Sequence, residues 1–240
     1  MPDRARRALM EGIGTFALVF AGCGAIVADA TRNGALGTVG ISLVFGLIIM
    51  VMVYAGGHLS GAHFNPAVTV AFALARHFPP RDALVYIGAQ LLGGVLAALL
   101  LLAAWTDAPA DLGATVPTVP AGTALLYEML LTAFLMFVIT AVATDTRAVG
   151  PAAAIAIGGT VALDALFGGP ITGASMNPAR SFGPALAAGE WSDFWIYVAG
   201  PVAGACIGVF AYELVRGERV INDDGRLGRG GRRGESELGR

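Results

Sequence analysis

The 240-residue chain is 56% hydrophobic and only 13% charged, with a mean hydropathy of +0.71 and a formal net charge of −2. Soluble domains carry about 25% charged residues, so this composition excludes an ordinary water-soluble fold and points into a membrane. The slightly negative balance gives nucleic acid no electrostatic footing, and nowhere do a nucleophile, a base and oxyanion donors gather as an enzyme would need.

Arg4, Arg6 and Arg7 precede a first apolar run at about 8–28, which is too long for a signal peptide and lacks a cleavage site. Further runs long enough to span a ~30 Å hydrocarbon core cover about 38–56, 82–104, 121–143, 149–168 and 192–215. Two shorter apolar pieces, 66–76 and 178–188, hold 11 residues each. At 1.5 Å per residue each reaches about 16 Å, half a bilayer core. They must therefore enter and turn back, or lie flat on the surface. The Gly-rich stretches 56–64 and 168–176 ahead of them supply the irregular backbone that re-entry requires. Such backbone is tolerated at depth only where protein covers it or water bathes it. The carbonyls of 57–63 and 169–175 are then expected to form a ladder of acceptors along one wall. Residues 217–240, with seven Gly, eleven charges and no aromatic, read as a disordered tail.

Three spans and one half-length piece precede residue 105, and the same set follows residue 120. Pairing the halves puts Glu11 opposite Glu128, Thr15 opposite Thr132, Tyr86 opposite Tyr197, and Gly93 opposite Gly204. An odd number of spans per half makes the second half enter from the opposite side. The chain therefore reads as a single membrane domain at 1–216, built from inverted repeats of about 8–104 and 121–215. All fifteen basic residues are Arg, and thirteen lie on the side of the two termini, leaving Arg32 opposite and Arg180 inside the fold. The positive-inside rule then makes both termini cytoplasmic. The compact loops suit a prokaryotic plasma (inner) membrane. Gly200, Gly204 and Gly208, and Ala89 with Gly93, are spaced for close helix packing. Cys23 and Cys206 have no C-x-x-C partner or neighbouring His and read as small buried residues, so no metal site is expected.

Each half-length piece opens on the same tripeptide, Asn65-Pro66-Ala67 and Asn177-Pro178-Ala179, preceded by Ser60-Gly61-Ala62 and Thr172-Gly173-Ala174. Asn is a strong cap, and Pro at the first helical position forfeits no hydrogen bond. One copy would signify a capped helix and nothing more. Two copies, 112 positions apart in an inverted repeat, aim two helix N-termini at one point, each carrying about half a positive charge. The amides of Asn65 and Asn177 would donate to a water oxygen there, which favours neutral solutes and opposes cations and proton transfer.

On these residues the chain resembles the major intrinsic proteins, that is, the aquaporins and glycerol facilitators, over 8–215. The carriers are Ser-Gly-Ala-His-Phe-Asn-Pro-Ala-Val at 60–68 and Gly-Ala-Ser-Met-Asn-Pro-Ala-Arg-Ser-Phe-Gly-Pro at 173–184. The resemblance implies an all-α membrane fold of six transmembrane helices plus two re-entrant half-helices, in a homotetramer with one pore per subunit. It implies no cofactor; the partners are the lipid bilayer, water and small neutral solutes. It assigns Glu11 and Glu128 to accepting backbone N–H groups of the re-entrant loops, and His63 to buttressing the first loop. It also sets the narrowest point of the pore at Phe45, Ala165, Ala174 and Arg180.

Strict water channels of the family have His where this chain has Ala165. Glycerol facilitators have Trp at the Phe45 position and Asp where this chain has Ser181. The small pair Ala165 and Ala174 is most similar to nodulin-type and related bacterial channels. The expected function is a passive channel for water and small uncharged solutes, glycerol-like polyols and neutral metalloid hydroxides such as arsenite among them. The alternatives are a strict water channel and, from another class, a secondary transporter. Three polar residues remain. Asp164 has no counterpart in the first half and is expected near the outer end of its span with a local hydrogen bond. His58 is a candidate pH gate, and His77 is expected to be solvated beside Arg76 and Arg81.

Overall fold

Eight helices organise the residues described by the computed structural model, 3–145, 152–217, 220–221 and 227–228. In chain order they are α1 (Asp3–Thr31), α2 (Gly37–Ser60), α3 (Pro66–Leu74), α4 (Pro80–Ala104), α5 (Ala121–Thr144), α6 (Ala153–Thr172), α7 (Pro178–Ala188) and α8 (Ile196–Arg216). All but α3 and α7 are long and apolar enough to cross a membrane. Leu84, Leu92, Leu96, Leu99 and Leu100 of α4 stand exposed, an apolar face that lipid covers and that a water-soluble surface rarely carries. Beyond α8, Val220–Ile221 pairs antiparallel with Leu227–Gly228, so the expected tail is not irregular throughout. Its remaining residues after Gly217, and 149–151 of the expected fifth span, lie outside the described residues.

α2 and α6 run four residues past the apolar stretches read from sequence, through Gly56-Gly57 and Gly168-Gly169. In lipid every backbone N–H must find an internal acceptor, and staying helical supplies one. Both helices stop at a left-handed glycine, Gly61 (φ 89°) and Gly173 (φ 86°), whose N–H groups close on the carbonyls of Gly57 and Gly169. The irregular backbone is therefore confined to 61–65 and 173–177. The expected ladder of free carbonyls shortens accordingly, because those of Gly57 and Gly169 are already taken.

The two short segments share one conformation. Ala62 and Phe64 both have φ 50°, and Ala174 and Met176 have φ 41° and 53°. Four non-glycine residues in a region that costs about 1–2 kcal/mol each, at matching places, mark two copies of one inverted unit.

Packing brings backbones into contact. α1 lies on α4 and α5 on α8; a Cβ at Gly93 would sit 2.2 Å from the Gly12 carbonyl oxygen, and one at Gly204 2.1 Å from that of Met129. Between α2 and α6, a Cβ at Gly46 would be 2.5 Å from the Gly158 carbonyl oxygen, and the reverse pair is also 2.5 Å. Lipid supplies no hydrophobic drive between helices, so close dispersion contact does. The half-length helices cross between repeats: α3 lies against α8, and α7 against α4. Their tips meet inside the bundle.

Candidate functional site

Asn65 and Asn177 cap α3 and α7 through Oδ1, which accepts from Ala67 N at 2.8 Å and Ala179 N at 3.0 Å. Pro66 and Pro178 follow in the first turn, where a missing N–H costs nothing. Each amide nitrogen then reaches across to the other loop. Nδ2 of Asn65 donates to the Met176 carbonyl at 2.7 Å, and Nδ2 of Asn177 donates to that of Phe64 at 2.8 Å. The two helix N-termini are held head to head. An amide nitrogen has two hydrogens, so each Asn keeps one N–H beyond this lock, and both side chains line one cavity. Phe64 fits because α1 has a glycine opposite: a Cβ at Gly14 would stand 2.1 Å from the ring.

Two buried glutamates hold the loops from behind. Oε1 of Glu11 accepts from Ser60 Oγ (2.6 Å) and His63 N (3.0 Å), while Oε2 accepts from Phe64 N (2.6 Å) and Gln90 Nε2 (2.8 Å). Glu128 accepts from Thr172 Oγ1 (2.7 Å), Ser175 N (2.9 Å) and Met176 N (2.8 Å). Tyr86 and Tyr197 donate to the carbonyls of Ser60 and Thr172 at 2.8 and 2.7 Å. The His63 ring lies 3.0 Å from Thr69 Oγ1 and packs against Phe72, Phe78 and Tyr86.

Phe45, Ala165, Ala174 and Arg180 line the same cavity as the two Asn residues, a space of about 470 Å³ that reaches Tyr54 and His58 near the end where the termini lie. Arg180 is 2% exposed. Its Nη1 donates to the Gly113 carbonyl at 2.7 Å and to Cys23 Sγ at 3.2 Å, and its Cζ lies 4.9 Å from the Phe45 ring centroid. That separation is contact, so ring and guanidinium are neighbours and not opposing walls. Ala165 and Ala174 line the same cavity with one-carbon side chains. Gly22 makes room for the ring, since a Cβ there would be 2.1 Å from it. A charge in a membrane is expensive unless held; two acceptors and a π-face hold this one. Among the described residues no group of three His, Cys, Asp or Glu could bind a metal.

The segment between α4 and α5 makes contacts to Arg180 and Ser181 of α7 that its sequence does not announce. Ala108, Ala110, Asp111 and Leu112 all have φ between 45° and 53°, giving a left-handed turn at Pro109–Gly113 whose last carbonyl meets Arg180. Buried Leu112 anchors the turn among Val19, Cys23 and Leu101. Thr115 Oγ1 lies 2.7 Å from Ser181 Oγ, which lies 2.6 Å from Ser175 Oγ. Thr118 donates from N and Oγ1 to the Ile171 carbonyl, both at 3.0 Å, and so satisfies the last turn of α6. With three Pro and one Gly, 106–120 reads locally as a plain connection.

Two expectations change. Asp164 is buried at 1% exposure, and neither carboxyl oxygen has a partner among the described residues, in place of the expected local hydrogen bond. His77 is not merely solvated: its Nε2 lies 2.9 Å from Glu213 Oε1, because the end of α8 passes beside the loop after α3. His58 stands exposed at the mouth of the cavity.

Compared with known proteins, residues 2–212 match the family described as "Major intrinsic protein". The chain is 49% identical over 211 residues to aquaporin NIP1-1 of Zea mays, spanning 88% of this chain and 75% of that one. It is 47% identical over 211 residues to nodulin-26 of Glycine max, spanning 88% and 78%. Its fold is similar to the X-ray structure of the aquaglyceroporin from Plasmodium falciparum, with a TM-score of 0.78 and 25% identity over 89% of this chain and 97% of that one.

Proposed function

The chain belongs to the major intrinsic protein family, and from that premise we propose that its cavity conducts glycerol-sized polyols and neutral metalloid hydroxides such as arsenite as well as water. A passive membrane channel for water and small uncharged solutes, and no enzyme, follows from the family itself. The wider range rests on one observation: Ala165 and Ala174, two one-carbon side chains, line the same cavity as the Phe45–Arg180 pair. These four residues act as the selectivity filter. Arg180 offers fixed charge and N–H donors to a solute hydroxyl, Phe45 offers an apolar flank, and the alanines set the width.

Asn65 and Asn177 act at the second control point. A water oxygen passing there accepts their free N–H groups and turns its hydrogens outward, which breaks the chain of donors along which a proton would travel. The positive ends of α3 and α7 oppose cations at the same depth. Glu11, Glu128 and His63 keep the loops in register for this. The working unit is a homotetramer of single-domain subunits (1–216, repeats 8–104 and 121–215), with both termini in the cytoplasm by the distribution of Arg. The plant origin of NIP1-1 and nodulin-26 lends no support to a prokaryotic inner membrane, which rests on loop length alone.

Purified protein in liposomes, followed by stopped-flow light scattering, tests the reading. Rapid water, glycerol and arsenite entry is expected. Water flow without glycerol, urea or arsenite entry overturns the wide filter.

A further inference from the structure

We propose that Cys23 is a positioning residue of the filter: its sulfur, with the Gly113 carbonyl, holds one nitrogen of Arg180 and so sets where the remaining guanidinium N–H groups meet a passing solute. The inference rests on the reading of Arg180 as a filter residue.

Three atoms form a closed triangle. Arg180 Nη1 is 3.2 Å from Cys23 Sγ and 2.7 Å from the Gly113 oxygen, and Sγ is 3.9 Å from that oxygen. Cys23 is fully buried and does not line the cavity, so no solute touches it and any effect on conduction runs through Arg180. The guanidinium has little else to fix it. Its Nε has no partner among the described residues, and no carboxylate pairs with it there; only the Phe45 face flanks it. Orientation is decided at Nη1.

Cys23 also seats the other acceptor. A Cβ at Gly113, whose φ is +76°, would lie 3.0 Å from Cys23 Cβ and 3.1 Å from its Cα. The left-handed turn therefore rests directly on this residue, with Leu112 buried beside it. One side chain of α1 thus supplies one acceptor and positions the second. Sulfur is a weak, polarisable acceptor, which suits a group that must steady a cation without neutralising it.

The test is a double-mutant cycle in liposomes, reading water and glycerol permeability per inserted channel. Cys23→Ala removes the acceptor and frees the guanidinium to swing into the lumen, where it hinders a polyol more than water. The glycerol-to-water ratio is expected to fall about threefold to tenfold, the net scale of one ordinary hydrogen bond, since sulfur is a weak acceptor. Cys23→Ser keeps an acceptor and is expected to stay near wild type. In an Arg180→Ala background, Cys23→Ala is expected to change nothing further. A wild-type ratio in Cys23→Ala, an equal loss in Cys23→Ser, or an undiminished effect without Arg180 overturns the proposal and leaves Cys23 a packing residue. If wild type excludes glycerol, the wide-filter reading fails separately, and the same cycle is read in water permeability. If Cys23→Ala does not accumulate, Cys23→Val is the second acceptor-free variant, and wild-type conduction by it is equally fatal.

Discussion

Glu11 and Glu128 accept the same three groups from their own loops: a hydroxyl (Ser60, Thr172) and two successive backbone N–H groups (His63 and Phe64, Ser175 and Met176). The match is broken at one point. Glu11 takes a fourth donor from Gln90, whereas the position that corresponds in the second repeat is Pro201, which has no donor to give. The two loops carry equal strain with unequal support.

Replacing either glutamate by leucine leaves those buried donors without an acceptor. At about 1–3 kcal/mol for each unsatisfied group, Glu128→Leu should cost several kcal/mol and Glu11→Leu more, since Gln90 also loses one of its two acceptors and keeps only Thr69 Oγ1. Melting followed by fluorescence-detected size exclusion reads this directly. Leucine variants that melt with wild type would show that the loops do not depend on these bonds.

Glycine contacts give a sharper contrast. Gly93→Ala and Gly204→Ala would place a methyl 2.2 and 2.1 Å from backbone oxygen, and overpacking of this kind costs about 1–3 kcal/mol or more. Gly88→Ala meets nothing within 4 Å and should be neutral or slightly stabilising, as alanine is the better helix former by about 1 kcal/mol. Equal melting temperatures for all three would refute the packing argument.

Width at the proposed filter is tested by Ala165→His. The ring adds bulk to the cavity that Phe45 and Arg180 also line, so glycerol permeability should fall by about tenfold or more, the scale that a surplus group carries in a tight passage, while water permeability persists. Stopped-flow measurements on both solutes decide it. Glycerol flux at the wild-type level would mean that the narrowest point lies elsewhere.

Asn65→Asp alters charge at the midpoint. The amide N–H that reaches Met176 is lost, a carboxylate oxygen faces that carbonyl instead, and negative charge stands between two positive helix ends. A potassium flux absent from wild type should appear in voltage-clamped membranes. Continued exclusion of potassium would place the cation barrier at Arg180 alone.

Much of this architecture was readable from the chain. The six spans, the two short helices and their Asn-Pro openings depend on local quantities: run length against bilayer thickness, cap chemistry, and the recurrence of one motif after 112 positions. Helix ends were read less well. Gly56-Gly57 and Gly168-Gly169 look like breakers in water, yet the helices continue through them, because lipid penalises an unpaired N–H more than glycine entropy disfavours a helix.

Which segments cross, which turn back, and which polar residues sit at their tips are properties written locally along the chain. Who holds whom is settled by packing. Arg180 meets Gly113 across 67 positions and Cys23 across 157, and that the Asp164 carboxyl has no partner among the described residues is visible only once α6 is packed. Periodicity tells a residue which face of its helix it occupies. It carries no record of the partner, because that depends on how rigid helices settle against one another where glycines let their backbones touch.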